Sequence, residues 1–67
     1  MKKNSYDDLT PREKNWVITA VNMHQTPEEA GLKTVAEKEY YNVIHAEAEA
    51  LFARGGVWPI FELWELD

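Results

Sequence analysis

The motif Thr-x-x-Glu occurs three times in this chain, as Thr10-Pro11-Arg12-Glu13, Thr26-Pro27-Glu28-Glu29 and Thr34-Val35-Ala36-Glu37. It is the signature of a capping box. The Thr hydroxyl accepts a bond from the backbone N–H three residues on, and the Glu carboxylate reaches back to the Thr N–H. Two of the three place Pro at the first helical position, where a missing N–H costs nothing. A chain that opens its segments this way reads as all-α, a small bundle of three or four helices.

The expected elements follow. Residues 1–9 form a flexible or loosely docked arm, polar except for Tyr6 and Leu9, and residues 10–67 form one helical domain. A first helix spans about 11–24, with Trp16, Val17, Ala20, Val21 and His24 on one stripe of 3.6-residue period. Ile18 does not fit that stripe. A short helix at 27–31 is stopped by Gly31, a residue suited to the left-handed conformation. A long helix at 35–54 carries a main stripe of Tyr40, Tyr41, Ile44, Ala48, Leu51 and Phe52, and Gly55-Gly56 ends it. Its second edge, Ala46, Ala50 and Ala53, lets another backbone approach: the first helix, the tail or another copy. The tail admits a helix at 59–66, opened by Pro59. The alternation of Phe61, Leu63 and Glu65 with Glu62, Trp64 and Leu66 fits an extended strand as well.

Size bounds the rest. A 67-residue chain folds as one domain that buries only about 60% of its unfolded surface. It has no Cys, hence no disulfide or thiolate chemistry, which suits a reducing cytoplasm. No stretch approaches the roughly 20 apolar residues of a membrane span. The two N-terminal Lys are not followed by the apolar run of a secretory signal. The expectation is a soluble, cytoplasmic protein.

The net charge of −5 is unevenly spread: residues 1–25 sum to +1 and residues 26–67 to −6. A DNA-binding domain needs a clustered basic face. The helix–short helix–helix order resembles a helix-turn-helix, but the second element offers Glu28 and Glu29, which repel phosphate. Direct nucleic-acid binding is therefore disfavoured. The alternative functional reading is a nucleic-acid-associated regulator, either helix-turn-helix-like or with an acidic surface that imitates nucleic acid for a basic partner.

No catalytic set emerges. His45 and Glu49 share a helix face, but a structural zinc site takes four ligands and a catalytic one three plus water. His45 is expected as a partly buried polar residue beside Tyr41 and Phe52. The paired carboxylates lack a second environment that would split their roles. No phosphate loop or nucleophile elbow is present. The expectation is a non-enzymatic protein with no metal and no cofactor, acting by contact with a protein partner or by self-association. The residues that would carry that contact are Trp58, Phe61 and Trp64, of types enriched at interface hot spots, and the acids Glu37, Glu47 and Glu49; the three rings equally serve a core this small by folding back across both helices, and that is the reading first expected of them.

Overall fold

Each of the three Thr-x-x-Glu motifs closes both of its bonds. The Glu13 N–H donates to Thr10 Oγ1 (3.2 Å) and the Thr10 N–H to Glu13 Oε1 (3.0 Å). The Thr26/Glu29 pair does the same at 3.1 and 2.9 Å, and the Thr34/Glu37 pair at 3.1 Å in both directions. The structure is a computed structural model that describes residues 5–60 and Leu63. Among the described residues the chain is all-helical, with no strand: a 3-10 turn at Ser5–Asp8, helix α1 at Pro11–Asn22 and helix α2 at Val35–Ala53. No helix among them is long and apolar enough to cross a membrane.

Among the described residues there are two α-helices, and the expected three- or four-helix count is not reached there. Residues 27–31 are a single hydrogen-bonded turn, not a helix. Between the Thr26 cap and Gly31, which has a φ of +77°, there is room for one i→i+4 bond, from the Ala30 N–H to Thr26 O. One bond does not propagate a helix. At the tail, Pro59 and Ile60 are not helical, and the Trp58–Pro59 peptide is cis. Leu63, also within the expected 59–66 helix, is in 3-10 conformation, its N–H donating to Ile60 O at 3.2 Å; residues 61, 62 and 64–66 lie outside the described residues. From Ser5 onward the expected arm is tied down, with Tyr6 and Leu9 packed on the core and the Tyr6 ring 5.4 Å from that of Tyr40.

The stops are as regular as the starts. After α2 the Gly56 N–H donates to Leu51 O and the Gly55 N–H to Phe52 O, the paired bonds of a Schellman motif. Gly55 sits at φ +96°. A Cβ on Gly56 would lie 2.8 Å from Leu51 O, so neither glycine accepts a side chain cheaply. The turn repeats the pattern, with Leu32 N–H to Pro27 O and Gly31 N–H to Glu28 O. So does α1, two residues short of its expected end, with Gln25 N–H to Ala20 O and His24 N–H to Val21 O. Here the left-handed position falls on a histidine, His24, at φ 58°.

The core lies between the helices. Val17, Ile18, Ala20 and Val21 of α1 meet Tyr40, Ile44 and Ala48 of α2, with Leu32, Ile60 and Leu63 closing the ends. The stripe of α1 is therefore turned from the expected one: Ile18 is 1% exposed and Trp16 61%. Trp16 stays outside because its Nε1 donates to Ala30 O at 2.9 Å, a bond that needs the ring at the helix flank. On α2 the stripe holds at Tyr40, Ile44 and Ala48, while Tyr41 and Leu51 are half-buried and Phe52 is exposed.

One polar side chain enters this core. Asn22, 5% exposed, accepts from the Ile60 N–H at 2.8 Å and donates through Nδ2 to Ile60 O at 3.2 Å. Its own backbone carbonyl accepts from Trp58 Nε1 at 2.8 Å. Losing the amide strands two backbone groups, each costing about 1–3 kcal/mol when unmade. Asn22→Leu, which keeps the volume, should lower the unfolding free energy by about 2–4 kcal/mol in a urea titration followed by circular dichroism. A loss below about 0.5 kcal/mol would mean that the amide does not hold the tail. At His24, a left-handed residue with a Cβ costs roughly 1 kcal/mol relative to Gly. His24→Ala and His24→Gly both remove the imidazole, so the same titration should place the Gly variant about 1 kcal/mol above the Ala variant.

Candidate functional site

Trp58 is expected either to complete the core or to face a partner. It is half-buried and used internally. Besides the bond to Asn22 O, its indole stacks on His24 with centroids 4.5 Å apart and planes 20° apart. Phe52 meets it edge-on at 5.8 Å. Stacked and edge-to-face pairs add about 0.5–1.5 kcal/mol beyond their buried area, so Trp58 latches the tail onto the end of α1. Phe61 and Trp64, named with it, lie outside the described residues.

The three acids do not share a surface. At about 100° of rotation per residue, Glu37, Glu47 and Glu49 point to three different sides of α2. Glu37 is occupied by the cap. Its Oε1 accepts from the N–H of Thr34, the hydroxyl of Thr34 at 2.9 Å and the N–H of Lys33 at 3.2 Å. The Thr34 N–H is the largest cause holding this carboxyl below the usual range. Partial desolvation opposes it, and the Thr34 hydroxyl, the Lys33 N–H and the Lys33 ammonium add to it. Glu49 lies 2.8 Å from His45 Nδ1, and the His45 ring stacks on Tyr41 at 5.8 Å. Glu47 is exposed and has no ion-pair partner among the described residues.

The Tyr41 hydroxyl donates to Gln25 O at 2.7 Å. Burial, then the charges of Glu28 and Glu29, push its pKa up, which keeps it a donor. Among the described residues no group of three or more His, Cys, Asp and Glu is placed to hold a metal ion.

Besides a concavity at the end of α2, lined by Leu51, Arg54, Val57 and Ile60 among others, two surfaces among the described residues are open. One is a cleft of about 440 Å³ beside the Trp16 ring, lined also by Arg12, Asn15, Thr19, Gln25 and Glu29. Asn15 Oδ1 is buried there without a hydrogen-bond partner. The other is the outer face of α2, where Val43, Ala46, Glu47, Ala50 and Arg54 line a shallow concavity. Val43 is 39% exposed and Val57, just past the helix, 73%. Sequence reasoning picked out the small edge Ala46, Ala50 and Ala53 but missed Val43. Its signal is spacing: Val43 falls seven residues before Ala50, one face of the same helix. No protein-family model, curated protein or solved structure matches this chain.

The lowered Glu37 pKa has a defined pH signature. A carboxyl depressed on folding contributes stability that is present above its unfolded pKa and lost as pH falls through its folded pKa. Wild type should therefore exceed Glu37→Gln in urea midpoint at neutral pH. The gap should narrow steadily as the pH drops through and below the ordinary carboxylate range. A gap that stays constant with pH would mean the charge is not what the cap uses.

Proposed function

We propose that this chain is a non-catalytic binding protein that acts by protein–protein contact through the outer face of α2. The observation that carries this reading is the apolar stretch Val43, Ala46 and Ala50, exposed on a long regular helix whose opposite stripe already builds the core. Isolated exposed apolar residues are ordinary on any protein. A contiguous strip with small residues at its centre is a surface that another element can approach closely. A helix presents it rigidly, so little conformational entropy is lost on contact.

The flanking charges, Glu47 and Arg54, are of opposite sign. That pattern fits a protein surface better than a phosphate backbone, which calls for clustered cations. The turn at 27–31, where a helix-turn-helix would begin its reading element, exposes Glu28 and Glu29. The acidic-mimic reading gains nothing from Glu37, Glu47 and Glu49, which point apart.

A photo-reactive side chain tests the face directly. With benzoylphenylalanine in place of Ala46, irradiation of expressing cells should give adducts that protease digests and nuclease leaves intact. The same probe at Lys38, on another side of α2, should give several-fold less. Nuclease-sensitive adducts, or equal yields at the two positions, would remove this reading.

A further inference from the structure

The outer face of α2 is nearly symmetric about its own centre. Around Ala50 its exposed positions are Val43, Ala46, Glu47, Ala50, Ala53 and Arg54, with Glu39 further towards the start of the helix. The six lie at −7, −4, −3, 0, +3 and +4 from Ala50. A two-fold axis through Ala50, perpendicular to the helix, sets position 50 − n of one copy against position 50 + n of the next. Alanine then meets alanine at the axis, and Glu47 comes level with the partner's Arg54, within one residue of register. At about 100° per residue, Glu47 and Arg54 are only about 20° apart around α2. They therefore sit on the same flank, and an antiparallel two-fold keeps that flank common to both copies. Each crossing thus forms two opposite-charge pairs at once.

A parallel pairing fails this test, because it sets Glu47 level with Glu47 and Arg54 level with Arg54. Among the described residues neither charge has an intramolecular ion-pair partner, so neither is committed elsewhere. The other flank, Ala46 and Ala53, carries only methyl groups, which lets the helices approach closely.

We infer that the protein contacted by this face is a second copy of the chain, docked antiparallel across Ala50 with reciprocal Glu47–Arg54 pairs. This is an isologous interface, the commonest kind in homodimers. It rests on the reading of α2's outer face as a protein-contact surface and names the partner. One helix face is smaller than the about 800 Å² per partner of a standard interface. The dimer therefore dissociates on dilution.

Sedimentation equilibrium of the full chain over a concentration series tests it. Wild type should move from two chains towards one on dilution. Glu47→Arg and Arg54→Glu should each weaken association by about tenfold, since each turns two attractions into two repulsions. The double variant Glu47→Arg/Arg54→Glu should return to within about threefold of wild type. Circular dichroism checks that each variant keeps its helix content.

The sequence has no Cys, so single cysteines report orientation cleanly. Ala50→Cys should form a disulfide-linked dimer under mild oxidation. Ala46→Cys should not, because an antiparallel pair holds the two 46 positions about 12 Å apart along the helices. A mass of one chain at every concentration overturns the inference, as does a double variant that stays weak or an Ala46→Cys that links as readily as Ala50→Cys. If the purified chain is monomeric while the Ala46 photo-probe still yields protein adducts, the self-pairing fails and the protein-contact reading stands.

Discussion

The pairing of the Asn22 side chain with the backbone of Ile60 is the contact on which the rest of the molecule turns. An amide side chain carries a donor nitrogen and an acceptor oxygen at nearly the spacing of a peptide group. Asn22 uses both on a single residue, much as a neighbouring strand would. Its backbone carbonyl, one of those left over at the end of α1, is taken by Trp58 Nε1. The tail therefore completes the C-terminus of α1 and places Ile60 and Leu63 in the core, both nearly fully buried. A buried amide costs free energy unless all of it is bonded. Here both polar ends are bonded, which is why one asparagine is tolerated among Val, Ile and Leu.

Around that contact the chain is divided by local chemistry. A Thr/Glu box opens each of three segments and a left-handed residue closes it, even where the segment between is a single turn. Such boundaries are set by bonds between residues three to six apart and form with little help from the rest of the chain. The long-range packing then needs only to orient two helices and plug their ends with Leu32, Ile60 and Leu63. So small a core draws on residues beyond the two helices, and Tyr6 and Leu9 from the first few residues are recruited to it.

This division explains what could be read from the residues. The three capping boxes and the stop after α2 are legible because their bonds are local, and so is the Tyr40–Ile44–Ala48 stripe. The stripe of α1 is not. Trp16 and Ile18 are both apolar, and what separates them is a carbonyl fourteen residues away that holds the indole outside. The end of α1 was hidden because the left-handed position is a histidine. Its compensation is a ring stack with Trp58, which no local pattern announces. The role of Asn22 depends on a segment with no clear periodicity of its own. Of the described residues associated with binding, Trp58 latches the tail and Glu37 closes a cap, while Glu47 stands on the open face beside Arg54.

Asn22 and Ile60 lie 38 residues apart, so their amide joint closes a ring that contains the turn and all of α2. The entropy of closing a ring grows only with the logarithm of its length, about 0.6 kcal/mol for each doubling. Lengthening the exposed links inside the ring is therefore a mild perturbation. Its clasp is different in kind: two residues, one on each side, whose chemistry must match atom for atom. Sequence drift in such a fold is tolerated along the circumference and resisted at the fastening.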